Sequence, residues 1–188
     1  MILPEKSAKR ALIIVDVQND FLPGGMLAVP RGDEVIPILN RYIEEFERQK
    51  LPIFATRDWH PHNHCSFQTQ GGPWPVHCVV STKGAAFPPS LKLPTSAIVI
   101  SKPSTPEKET YSAFEGTNLE QQLREASVES LYVGGLATDY CVLNTVKDAL
   151  LRGFKVTLLK DGIRPVNVHP TDGQEAEKEM LSLGAVAL

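Results

Sequence analysis

The stretch Leu131-Tyr132-Val133-Gly134-Gly135-Leu136-Ala137-Thr138-Asp139-Tyr140-Cys141-Val142 decides the fold. It opens as a short apolar run, passes through two glycines, and continues into Val142, Val146, Ala149 and Leu150, which follow helical spacing. A strand leading into a helix is half of a parallel crossover unit, because parallel neighbours cannot be joined by a tight hairpin. The same alternation extends in both directions. Apolar runs rich in β-branched residues recur at 11–15, 52–56, 97–100, 156–159 and 185–188, as expected of strands buried on both faces. Between them, Val35, Ile36, Leu39, Ile43 and Phe46 keep helical spacing, as do Leu119, Leu123 and Ala126, then Ala176, Met180 and Leu183. This order predicts an α/β fold: a three-layer α/β/α sandwich on a mainly parallel, roughly six-stranded sheet with right-handed crossovers.

A chain of 188 residues with 42% hydrophobic content buries a full core within one domain, expected to span residues 1–188. The net charge of -3, from 19 basic and 22 acidic residues, provides no electrostatic footprint for nucleic acid or an anionic membrane. A small, nearly neutral substrate fits better. Residues 1–21 hold a basic stretch and a five-residue apolar run ending in Asp16, which is expected to be neither a signal peptide nor a membrane span. Together with three cysteines, an odd number read as reduced thiols, this points to a cytoplasmic enzyme.

In open parallel sheets, ligands bind beyond the carboxyl ends of the strands. Four expected strands end in chemically competent residues: Asp16, Asp58, Lys102, and the turn through Ala137 into Cys141. Within the first turn of a helix, backbone N–H groups and the dipole favour a thiolate at Cys141, and Lys102 would favour it further. Asp16 would accept the thiol proton or hold the lysine, while donors at Ala137 and Cys141 would face a developing oxyanion. Each residue alone has an ordinary explanation, as a buried thiol, a turn cap or a solvated amine. Their placement at neighbouring strand ends favours a joint role.

The segment from Trp59 to Pro94 is far longer than a typical connection of about 2 to 6 residues. It directly follows Asp58 and holds His60, His62, His64 and His77. Asp58 and His60 lie on one side of an extended segment, with His62 and His64 continuing the alternation. A mixed imidazole and carboxylate set suits Zn, Fe or Mn. Cys65 and Cys78 adjoin histidines but are turned away by the same alternation, and are read as packed thiols. His169 reads as structural or solvated.

Together, Asp16-Val17-Gln18-Asn19-Asp20-Phe21, Asp58-Trp59-His60-Pro61, Trp74-Pro75-Val76-His77-Cys78, Lys102 ahead of Tyr111-Ser112-Ala113-Phe114, and Gly135 to Val142 resemble the nicotinamidases of the isochorismatase-like cysteine hydrolase superfamily. The resemblance implies a catalytic triad of Asp16, Lys102 and Cys141 and an oxyanion hole at Ala137 and Cys141. It implies one divalent metal ion on Asp58, His60 and His77, with His64, His62 or water in a fourth position; His64 is preferred because it shares a side with His60. It also implies nicotinamide as substrate, its ring between Phe21 and Trp74 and beside Ala137, a cis peptide near Leu136-Ala137, and a place in NAD salvage. A homo-oligomer is compatible with it. Two alternatives remain open: a relative acting on a carbamoyl or ureido substrate, and a non-catalytic metal-binding protein on this scaffold.

Overall fold

The computed structural model describes residues 9–103 and 105–188; the basic stretch at the N-terminus, expected not to be a targeting segment, lies largely outside the described residues. Six strands form one sheet: β1 (Lys9–Val15), β2 (Ile53–Arg57), β3 (Ile98–Ser101), β4 (Val128–Leu136), β5 (Lys155–Arg164) and β6 (Val186–Ala187). Their order is β3-β2-β1-β4-β5-β6, and every pairing is parallel. Among the described residues no helix is long and apolar enough to cross a membrane.

Alternation along β1 separates two cores. Leu12 and Ile14 pack on one face with Val35, Leu39, Ile43 and Phe46 of α1 (Val35–Arg48). Ala11, Ile13 and Val15 pack on the other with Leu119 and Leu123 of α2 (Leu119–Glu125), Val146 and Ala149 of α3 (Leu143–Leu151), and Met180 of α4 (Asp172–Ser182). This is the expected three-layer sandwich, with one long helix on one face and three shorter ones on the other. Phe46 is fully buried, so Phe46→Ala would cost about 3–5 kcal/mol.

At the carboxyl end of the sheet, Gly135 of β4 pairs with Val15 of β1. Gly135 has φ 128°, and a Cβ there would stand 2.1 Å from the Val15 carbonyl oxygen. Only glycine permits that backbone; the register of β4 with β5 also shifts between Val133 and Gly135, with the extra residues on β5. The chain then enters a π-helical turn, Thr138–Val142, in which Val142 N–H donates to the Ala137 carbonyl at 3.1 Å, before α3 begins. The expected helix therefore starts a few residues earlier than its apolar spacing indicates. Wide turns of this kind often mark functional sites.

Candidate active site

Asp16, Asp58 and Lys102 follow β1, β2 and β3 directly, and Cys141 sits in the π-helical turn after β4. These four strands are consecutive in the sheet, so residues far apart in the chain meet at one edge. The ammonium of Lys102 has three N–H bonds and three partners. It donates to Asp16 Oδ2, to Asp58 Oδ1 at 2.8 Å, and to Cys141 Sγ at 3.1 Å. All four residues are buried. Asp16 is held further by the Thr56 hydroxyl, which donates to Oδ1 at 2.6 Å, and it adopts φ 48°, a left-handed backbone rare for a side-chain-bearing residue.

Two carboxylates sharing one cation set the electrostatics. Burial raises the Asp16 pKa above the ordinary aspartate value, against the pull of Lys102, and the negative charge of Asp58 adds to the rise. Burial acts on Asp58 in the same direction, but Lys102, His60 and His77 outweigh it and hold that carboxyl below its ordinary value. Burial disfavours the Lys102 ammonium, yet Asp16, Asp58 and Cys141 keep its pKa well above normal. Burial also pushes the Cys141 thiol well up, and the two carboxylates add to this against Lys102. Burial and the two carboxylates thus oppose the thiolate that the lysine and the helix start favour. A protonated thiol beside a carboxylate of raised pKa suits proton transfer within the site.

The histidines form the adjoining wall. Asp58, His60 and His77 offer ligand atoms that all lie within 4.8 Å of one another. Both ring nitrogens of His60 are buried without a hydrogen-bond partner, and Nε2 stands 3.6 Å from Asp58 Oδ2. A buried imidazole left so is costly unless a further ligand meets it. His77 Nδ1 lies 2.7 Å from the Pro75 carbonyl, which only an N–H can satisfy, so Nε2 carries the lone pair. Burial lowers the His77 pKa and favours the neutral ring that a metal requires. This donor set fits a divalent cation.

His64 differs. Its Nδ1 lies 2.7 Å from the Ser66 hydroxyl and its Nε2 3.0 Å from the Lys108 carbonyl, so both nitrogens have partners. It stacks on His60 with ring centroids 4.1 Å apart, and it joins His60 and Glu109 in a second set of close ligand atoms. His62 is exposed while His60 and His64 are buried. The expected alternation fails there because the chain turns, with His64 N–H donating to the Pro61 carbonyl at 3.2 Å. Cys78 is buried and Cys65 half-buried, and neither belongs to either histidine set; His169 is exposed.

Above Cys141 and Asp58 opens a pocket lined by Phe21, Trp74, His77, Glu109, Tyr111, Ala137 and Tyr140. Trp74 Nε1 donates to the Tyr111 hydroxyl at 3.1 Å and its ring meets Tyr140 edge-on at 5.1 Å. The Leu136-Ala137 peptide is cis. Phe21, Trp74 and Ala137, the substrate contacts that the resemblance implies, line one pocket together with Tyr111 and Tyr140, which stand in the quoted motifs without an assigned role, and with Glu109, which stands outside them.

Sequence reasoning also missed the supports. Gln18 is fully buried; its Nε2 donates to the Asp58 carbonyl at 2.8 Å and to that of Ala85 at 2.9 Å, while its Oε1 accepts from Asp58 N–H at 2.8 Å. Phe67, also fully buried, packs against the rings of His60, His64 and His77 at 5.7, 5.7 and 5.5 Å.

Fold and site together define a class: parallel-sheet hydrolases whose strand ends gather a thiol, an ammonium and carboxylates around a small pocket. The Isochorismatase domain pattern matches residues 10–188, and the chain belongs to that family. It is 42% identical to the nicotinamidase of Escherichia coli over 197 residues, spanning 94% of this chain and 92% of the relative. Among solved structures it resembles the pyrazinamidase of Pyrococcus horikoshii in complex with zinc, with a TM-score of 0.92 and 49% identity over 96% of this chain and 98% of the other. PnC1 from L. infantum in complex with nicotinate superposes with a TM-score of 0.89 at 36% identity, covering 100% of this chain and 96% of the other.

Proposed function

We propose that this protein is a nicotinamidase, hydrolysing nicotinamide to nicotinate and ammonia through a thioester on Cys141. The observation that carries the reading is a single ammonium, Lys102 Nζ, touching a thiol and two carboxylates at the floor of an aromatic pocket.

In this reading Asp16 takes the thiol proton, and the Cys141 sulfur attacks the carboxamide carbon. A carboxylate oxygen of Asp16 and the sulfur lie within 4.8 Å of each other. The N–H groups of Ala137 and Cys141 serve as donors to the oxyanion, an arrangement worth about 3 to 4 kcal/mol per donor. As the tetrahedral species collapses, Asp16 returns the proton to the departing ammonia and the C–N bond breaks. Water, deprotonated by Asp16, then attacks the thioester; nicotinate leaves and the sulfur regains a proton. Lys102 holds both carboxylates and the sulfur in register throughout. Phe21 and Trp74 flank the ring.

Asp58, His60 and His77 would hold one divalent ion (Zn, Fe or Mn), with His64 the proposed fourth ligand provided it exchanges its bond to Ser66 or to the Lys108 carbonyl. Such an ion would supply a Lewis-acidic anchor for the pyridine nitrogen and so help to orient the carboxamide toward Cys141. The three unpaired cysteines suit a reducing cytoplasm, where nicotinate would feed NAD salvage. The test is ammonia release from nicotinamide and from carbamoyl substrates by wild type and Cys141→Ala. Turnover of nicotinamide that vanishes in the variant supports the reading. Turnover that survives in Cys141→Ala, or that is confined to carbamoyl substrates, overturns it.

A further inference from the structure

The turn after β1 carries another buried carboxylate that the chemistry above does not use. Asp20 is 8% exposed; its Oδ2 accepts from Cys78 N–H at 2.7 Å and its Oδ1 from Met26 N–H at 3.3 Å. Cys78 has φ 45°, a left-handed conformation costing an L-residue about 1–2 kcal/mol. It directly follows His77, and its carbonyl accepts from His60 N–H at 3.0 Å. The strained residue thus connects two of the three residues read as metal ligands. The carboxylate sits in a slot that glycine alone leaves open, since a Cβ on Gly84 would stand 2.1 Å from Asp20 Oδ2.

We propose that Asp20 is a positioning residue for the metal centre: by holding Cys78 N–H it fixes the left-handed link that aims His77 and supports the main chain of His60. This rests on the reading of Asp58, His60 and His77 as the metal site. An ionised acceptor makes a stronger bond to an amide than a neutral one, which offsets the backbone strain at Cys78. Without it, Cys78 relaxes toward negative φ, and the peptide joining it to His77 rotates with it. Residues that orient metal ligands without touching the ion typically govern affinity by about 10–100-fold.

The test is Zn²⁺ affinity of the full chain, measured by competition with a chromophoric chelator, with the Tm of the metal-free protein recorded alongside. Asp20→Asn and Gly84→Ala should each weaken Zn²⁺ binding about 10–100-fold, the second by displacing an intact carboxylate. Because glycine adopts positive φ freely, adding Cys78→Gly to Asp20→Asn should restore at least a large part of the loss, with Cys78→Gly alone as control. Unchanged affinity in both single variants overturns the proposal, even if the metal-free Tm falls, because Asp20 then serves the fold alone. A double variant no better than Asp20→Asn overturns it as well. Should Asp20→Asn not fold, Gly84→Ala decides by the same two outcomes. Failure of the wild type to bind Zn²⁺ would instead sink the metal-site reading itself.

Discussion

Lys102 and Glu34 are mirror images in charge. Lys102 is one cation between two carboxylates, Asp16 and Asp58, with side-chain exposures of 1%, 0% and 7%. Glu34 is one carboxylate between two guanidinium groups, Arg31 at 2.8 Å and Arg164 at 2.9 Å, with Arg31 72% and Glu34 40% exposed. The contact distances are alike, so what separates the clusters is water. At the surface, solvent screens the excess positive charge, and an ion pair contributes little. In the interior, the excess negative charge has no such outlet. It adds to the rise that burial imposes on the Asp16 pKa, and it leaves Asp58 facing His60 and His77, in a place where a divalent cation would balance it. The same arrangement of charges is screened in one place and left uncompensated in the other.

The largest effect should come from removing the buried cation. Lys102→Met strands Asp16 and Asp58 without a countercharge, and breaking a buried pair in this way costs about 3–5 kcal/mol. Loss of the cation opposing desolvation lifts the folded-state pKa of Asp16 further above its unfolded value. Stability tied to such a raised carboxyl is present at low pH and lost as pH rises through the folded pKa. Urea unfolding of the variant should therefore show its largest deficit near neutrality and a smaller one as pH approaches about 4. Nicotinamide turnover should be abolished. A deficit that does not vary with pH would mean that the carboxylates are compensated by something other than Lys102.

A smaller effect should follow from filling the wall beside Asp58. Ligand that binds only the folded state at 100 times its Kd stabilises by about 2.7 kcal/mol, or about 5–10 °C in Tm for a chain of this size. Calorimetry of the chelated protein with and without Zn²⁺ should show a rise of that order. Glu34→Gln should show the same rise, because its cluster takes no part. An equal Tm with and without metal would leave the two unpartnered nitrogens of His60 with no ligand to account for them.

How much of this was legible in the sequence follows from the range of the interactions. Apolar runs at 11–15, 52–56 and 97–100 announced three strands, and each ended at or just before the residue that carries chemistry, because side-chain alternation and burial are local properties. That Asp16, Asp58, Lys102 and Cys141 meet was expected from the rule that ligands bind at strand ends, while the order β3-β2-β1-β4 that sets them side by side depends on pairings across the whole chain. Gln18 and Asp20 were invisible as supports for a related reason. They bond to backbone atoms 40 and 58 residues away, and backbone carries no residue identity. The forces opposing a thiolate at Cys141 were not readable, because helix starts and lysines are visible in a sequence while complete burial beside two carboxylates is not.

The smallest effect should come from neutralising the exposed carboxylate. Hydrogen bonds from Arg31 and Arg164 hold the Glu34 pKa at about 2, below its ordinary value. A carboxyl depressed in the folded state contributes stability above its unfolded pKa of about 4.3, and that contribution is lost as pH falls through the folded value. Glu34→Gln should therefore lower Tm slightly at pH 7, and the difference from wild type should shrink as pH falls from about 4.3 through the folded pKa of about 2. Because these groups are solvated, about 1 M salt, where the Debye length is about 3 Å, should erase most of what remains at neutral pH. The matching salt titration on Lys102→Met should leave its deficit nearly unchanged, since ions do not reach the interior. If salt closed both gaps alike, burial would not be what separates the two clusters, and the contrast between them would fall.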